Sequence, residues 1–248
     1  MEHQTTLPQL LEKAFRHWET TRPGSVQQEA SPNRVPGYTI ALEREAGTRG
    51  KAVAQEVGKL LGWHVYDHEL IEHIAREMGL RTALLESIDE RRQNAVLDLV
   101  ESFATAHTKS DWSPLVSEPE YFRHLTATVL ALGMHGECLI VGRGAAFILP
   151  VATTLRVRLV GPVRERIAAL SRNCGISERE AAQRVRTKDR ERTDFIHDHF
   201  FKDANDPRNY DVVVNACRLS VGQCAAVIAE SALCLHADRK ERTTAGRA

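Results

Sequence analysis

In Tyr38-Thr39-Ile40-Ala41-Leu42-Glu43-Arg44-Glu45-Ala46-Gly47-Thr48-Arg49-Gly50-Lys51-Ala52-Val53-Ala54 an apolar strand runs into a short glycine-bearing loop and then straight into a helix. Two glycines three residues apart let backbone N–H groups approach an anion. The helix beginning near Gly50 aims the positive end of its dipole there, and Lys51 adds a full charge. Set against the phosphate-loop pattern G-x-x-x-x-G-K-[ST], Gly50-Lys51 fits, but Glu45 falls where the first glycine belongs and Ala52 where a hydroxyl would reach a metal ion. The stretch alone fits either a phosphate site or an ordinary strand-turn-helix connection.

Working outward, 248 residues with 42% hydrophobic and 27% charged content are enough for one substantial core, so we read one domain carrying an insertion. Lys plus Arg and Asp plus Glu are both 33, which removes any bulk pull toward nucleic acid or a membrane surface. A polyanion must therefore be held locally. The five cysteines lack C-x-x-C spacing and sit mostly in apolar surroundings, as reduced thiols in a cytoplasmic protein do. The 11 histidines form no metal set: His64, His68 and His73 straddle a strand end, and His197 and His199 are read into a loop.

Strands are expected at Tyr38 to Leu42, Trp63 to Tyr66, Cys138 to Val141, Leu155 to Val160 and Asp211 to Val214, with helical periods between them. That alternation predicts an α/β fold with a five-stranded parallel, doubly wound sheet whose ligands sit at the carboxyl ends of the strands. Residues 1–37 are read as an amphipathic helix, with Leu10, Leu11, Ala14, Phe15 and Trp18 on one face, followed by a linker. This helix packs on the body or joins a second copy. Residues 38–230 form the main domain. Within it, residues 68–137 are a helical insertion interrupted by a loop at Ala106 to Pro119, residues 177–205 a lid, and residues 231–248 a tail.

Three further clusters lie at expected strand ends or on the lid. Asp67, in Tyr66-Asp67-His68, either caps the next helix or faces a ligand. Arg143 stands between Gly142 and Gly144, where a planar guanidinium suits a phosphate or pairs with a carboxylate. A helix opening at Ser177, with Glu180 completing a capping box, leads to Arg184-Val185-Arg186-Thr187-Lys188-Asp189-Arg190-Glu191-Arg192. This run is either a solvated face or a cationic surface that closes over phosphates.

In this order the motifs resemble the cytidylate kinase-like branch of the P-loop nucleoside monophosphate kinases: Gly47 to Lys51, Tyr66-Asp67, Val141-Gly142-Arg143, Ser177-Glu178, Lys188 to Arg192, and Asn209-Tyr210-Asp211-Val212-Val213-Val214-Asn215. The resemblance covers about Tyr38 to Ile228. It implies a P-loop kinase-type sheet and an ATP-dependent, Mg²⁺-using phosphotransferase acting on a nucleoside monophosphate, CMP or dCMP favoured. By the same resemblance, Gly47, Thr48, Arg49, Gly50, Lys51 and Ala52 would cradle the ATP phosphates, Asp67 and Arg143 would hold the acceptor, and Lys51, Arg190 and Arg192 would act on the transferring group.

Three departures accompany it. Glu45 places a negative charge beside an anion site, where Arg49 is expected to offset it. Ala52 lacks the hydroxyl. Gly144 replaces the acidic residue that follows Gly-Arg in orthodox cytidylate kinases, so phosphate binding is better supported than the choice of base. A rival reading keeps the fold as a nucleotide-binding regulatory module with weak turnover. Transfer depends on positioning and charge, and at ~4 Å with an effective dielectric of ~20 each cation contributes about 4 kcal/mol of raw attraction per phosphate charge.

Overall fold

The computed structural model describes residues 14–16, 38–86, 88, 90–107 and 118–245. The chain divides into two compact units, one formed by residues 38–65 and 139–248 and carrying most of the sheet, the other by the described residues of 1–37 and 66–138.

The sheet has five parallel strands in the order β2-β3-β1-β4-β5. They are β1 (Thr39–Arg44), β2 (His64–Tyr66), β3 (Cys138–Val141), β4 (Thr154–Val160) and β5 (Val212–Asn215), within two residues of the expected bounds. Central β1 pairs with β4 from Thr39 opposite Thr154 to Arg44 opposite Leu159. On one face Ile40, Leu42, Leu155, Val157 and Leu159 pack against Val53 and Val57 of α1 (Gly50–Leu61) and Ala225 and Ile228 of α9 (Val221–Ala245). Full burial of a side chain such as Leu42 contributes about 2 kcal/mol. Because strand side chains alternate, Ala41 and Glu43 of β1 and Arg156 and Arg158 of β4 go to the opposite face. That face is polar toward the carboxyl ends. α6 (Ala145–Ile148) is packed through Phe147, which stacks on Phe200 with ring centroids 5.4 Å apart.

Two more helices complete this unit, α7 (Val163–Cys174) and α8 (Glu178–Phe200). Ser177 caps α8 by accepting the Glu180 N–H at 3.2 Å, as the sequence predicts. α8 continues through His197 and His199, which the sequence places in a loop. α9 likewise continues from residue 231 to Ala245, where a tail is expected.

The other unit is helical: α2 (His68–Arg76), α3 (Met78–Glu86), α4 (Glu90–His107) and α5 (Glu118–His135). Leu70, Ile71 and Ile74 of α2 and Leu125, Val129 and Leu132 of α5 are among its buried apolar residues. Ala14, in a helical fragment, is fully buried, while the rest of the expected N-terminal helix, its linker and residues 108–117 of the expected loop lie outside the described residues.

Candidate functional site

β1 ends at Arg44, and a five-residue turn, Glu45 to Arg49, delivers the chain to α1. Gly47 has φ +84°, and a Cβ there would lie 2.5 Å from the Arg166 carbonyl oxygen, so only glycine passes this close to α7. Arg49 is left-handed at φ 56°. The α1 N-terminus carries no side-chain cap and no acidic residue in its first turn. Its first N–H groups, from Gly50 to Ala52, therefore meet only what comes to them from outside the helix. Lys51 is exposed in that first turn. Thr48, by contrast, is buried, and its hydroxyl donates to the Glu45 carbonyl at 2.7 Å.

Glu45 turns its carboxylate toward α7. It accepts the Gly161 N–H at 2.9 Å and lies 3.3 Å from Arg166 and 3.9 Å from Arg158. Those two arginines balance its charge. Arg49, expected to do so, instead donates to the carbonyls of Ala216 and Leu219 and ties the turn to the segment after β5.

Arg166 was not singled out by the sequence reading. Only 4% exposed, it donates to the Gly161 carbonyl at 2.8 Å, the Ala46 carbonyl at 3.0 Å and Asp189 at 2.5 Å. Asp189 in turn accepts the Ala46 N–H at 2.7 Å. The position of Arg166, six residues beyond the carboxyl end of β4, was the available signal.

Beside the turn lies a polar cavity of about 290 Å³ lined by Glu43, Arg44, Arg158, Arg190, Arg192 and Asn205, among others. Arg192 donates to the Arg44 carbonyl at 3.1 Å, and burial pulls its pKa down. Arg190 stands farther out, its side chain 84% exposed and 3.6 Å from Asp194. Arg186 is exposed and Lys188 pairs with Glu191 at 2.8 Å, so the expected cationic face of α8 divides between the cavity and solvent. Glu43 was also missed. It is 4% exposed, its Oε1 has no hydrogen-bond partner among the described residues, and burial raises its pKa against the opposing pull of Arg44, Arg192 and Arg158.

At the tip of β3, Gly142, Arg143 and Gly144 have φ of 77°, 57° and 68°. Three consecutive left-handed residues turn the chain sharply into α6. Side chains at the two glycines would strike the Arg44 guanidinium and the Phe200 ring. These glycines thus serve the turn and its packing, and they set Arg143 on a fixed backbone. Asp67 opens α2 in the helical unit, accepting the Leu70 N–H at 3.0 Å as an N-cap. Among the described residues no group of three or more His, Cys, Asp or Glu side chains is placed to hold a metal ion, and no helix is long and apolar enough to cross a membrane.

Comparison with known proteins adds three findings. The model of the cytidylate kinase-like family matches residues 39–217. A uronate isomerase from Corynebacterium glutamicum is 25% identical over 119 residues, which are 48% of this chain and 23% of that protein, so the chain spans less than a quarter of its length. A solved structure of an uncharacterized protein from Eubacterium ventriosum ATCC 27560 is 18% identical and matches with a TM-score of 0.60 over 79% of this chain and 97% of its own. At that identity the likeness bears on the fold alone.

Proposed function

The chain belongs to the cytidylate kinase-like family, and from that premise we propose that it is a nucleotide kinase, passing the γ-phosphoryl group of ATP to a nucleoside monophosphate, with CMP or dCMP the favoured acceptor. The observation that carries this reading is the uncapped N-terminus of α1. It follows a tight turn off the central strand and has Lys51 in its first turn, and the residues that lead into that turn, Glu43 to Glu45, line a cavity bearing Arg190 and Arg192. Uncapped N–H groups and a lysine are what a phosphate chain needs. Glu45, which looked hostile to an anion, is turned aside and neutralised by Arg166 and Arg158.

In this account the backbone of Gly47 to Ala52 and the Lys51 ammonium receive the donor phosphates. Arg143 grips the acceptor phosphate, and Arg190 and Arg192 on the lid helix offset charge that develops during transfer. The described residues do not fit a protein-built magnesium site: Ala52 presents a methyl group, and no carboxylate cluster replaces the missing hydroxyl.

Calorimetry with ATP tests the reading. Lys51 is exposed and supports little of the core, so Lys51→Ala should keep its melting temperature and lose most of its ATP affinity. Unchanged affinity in a folded variant would remove the phosphate assignment.

A further inference from the structure

Both polar groups of one turn residue are held from outside the turn. The Ala46 N–H donates to Asp189 of α8 at 2.7 Å, and the Ala46 carbonyl accepts from Arg166 of α7 at 3.0 Å. The two holders are themselves joined at 2.5 Å between Arg166 and the second Asp189 oxygen. Arg166 is anchored again on the Gly161 carbonyl at 2.8 Å, and Asp189 sits one turn before Thr193, whose hydroxyl donates to its carbonyl at 2.9 Å. A buried arginine matched by two carboxylates, Asp189 and Glu45, and two carbonyls has one orientation that satisfies them all, and losing Asp189 leaves its terminal nitrogen short of a partner where little water reaches.

We propose that Arg166 and Asp189 form a latch through which α8 sets the shape of the Glu45–Arg49 turn, both acting as positioning residues through the Ala46 peptide. The same helix carries Arg190 and Arg192 to the cavity, so the latch ties the placement of these cations to the conformation of the turn that leads into α1. Coupling of this kind is reciprocal: whatever anion settles at the turn also orders α8, and loosening α8 weakens the anion's hold. The consequence for ATP rests on the kinase reading. The coupling between turn and helix in the free protein does not.

Asp189→Ala removes both contacts, while Asp189→Asn keeps an acceptor for the Ala46 N–H and loses the ion pair. Amide hydrogen exchange of the nucleotide-free full chain is measured first, then ATP affinity by calorimetry. The latch predicts faster exchange in Asp189→Ala at Ala46 and along α8 together, with ATP affinity falling on the order of tenfold and Asp189→Asn in between. Faster exchange confined to Ala46, with α8 unchanged, would overturn it. A chain that binds no ATP in its native form would defeat the kinase reading, yet the exchange result would still decide the latch. Should Asp189→Ala fail to fold, Arg166→Lys, whose ammonium cannot span Ala46, Gly161 and Asp189 at once, gives the same two readouts.

Discussion

Arg192 and Arg44 are joined across the polar cavity: the Arg192 guanidinium, on α8, donates to the carbonyl oxygen of Arg44, the last residue of β1, at 3.1 Å. A cation on α8 is thereby fixed at the strand end from which the turn departs, next to buried Glu43.

Arg192→Ala should reduce kcat on the order of a hundredfold while the KM for ATP changes little, because a charge that meets the transferring group acts mainly in the transition state. Steady-state kinetics with saturating acceptor check this. A raised KM for ATP with kcat unchanged would instead make Arg192 a general binding residue.

Glu43 gives a pH dependence with a definite sign. Burial raises its folded pKa above the ordinary value of 4.5, so between the two values the folded state holds a proton that the unfolded chain has released. Stability then falls as pH rises through that window. Glu43→Gln cannot titrate, and its melting temperature should decline less than the parent's from about pH 5 upward. Parallel profiles would contradict the assignment.

Gly47→Ala should destabilise by roughly 2 kcal/mol or more, combining a left-handed φ with the approach to the Arg166 carbonyl. Gly62 offers the control, since its φ is +69° but nothing lies within 4 Å of an added Cβ. Gly62→Ala should show only the conformational part. Equal melting temperatures for the two variants would mean that the contact with α7 relaxes freely.

Arg143→Lys should raise the acceptor's KM on the order of tenfold with ATP affinity nearly unchanged, because one ammonium cannot reproduce a two-pronged contact. A fall in melting temperature without an acceptor defect would place Arg143 in a purely structural role.

The strands were legible because their periodicity is local: Ile40 and Leu42, or Leu155, Val157 and Leu159, announce a buried face within a few residues. The caps at Asp67 and Ser177 were legible for the same reason. What local pattern cannot supply is a partner far along the chain. Asp189 meets Ala46 across 143 residues, and Arg166 meets it across 120, so the charge balance of the turn was assigned to nearby Arg49. Glu43 went unread because one carboxylate at the end of an apolar strand looks like the start of a loop, and only the sheet places it opposite Arg158. The glycines around Arg143 serve a turn packed against Arg44 and Phe200, partners that are likewise distant in the chain.

The most direct test is ADP release from the purified full chain with ATP and Mg²⁺, read against a panel of nucleoside monophosphates. The account predicts acceptor-dependent release, fastest with CMP or dCMP, that is lost in Lys51→Ala. ATP binding without release above background for any acceptor would contradict it and leave a nucleotide-binding module in place of a kinase.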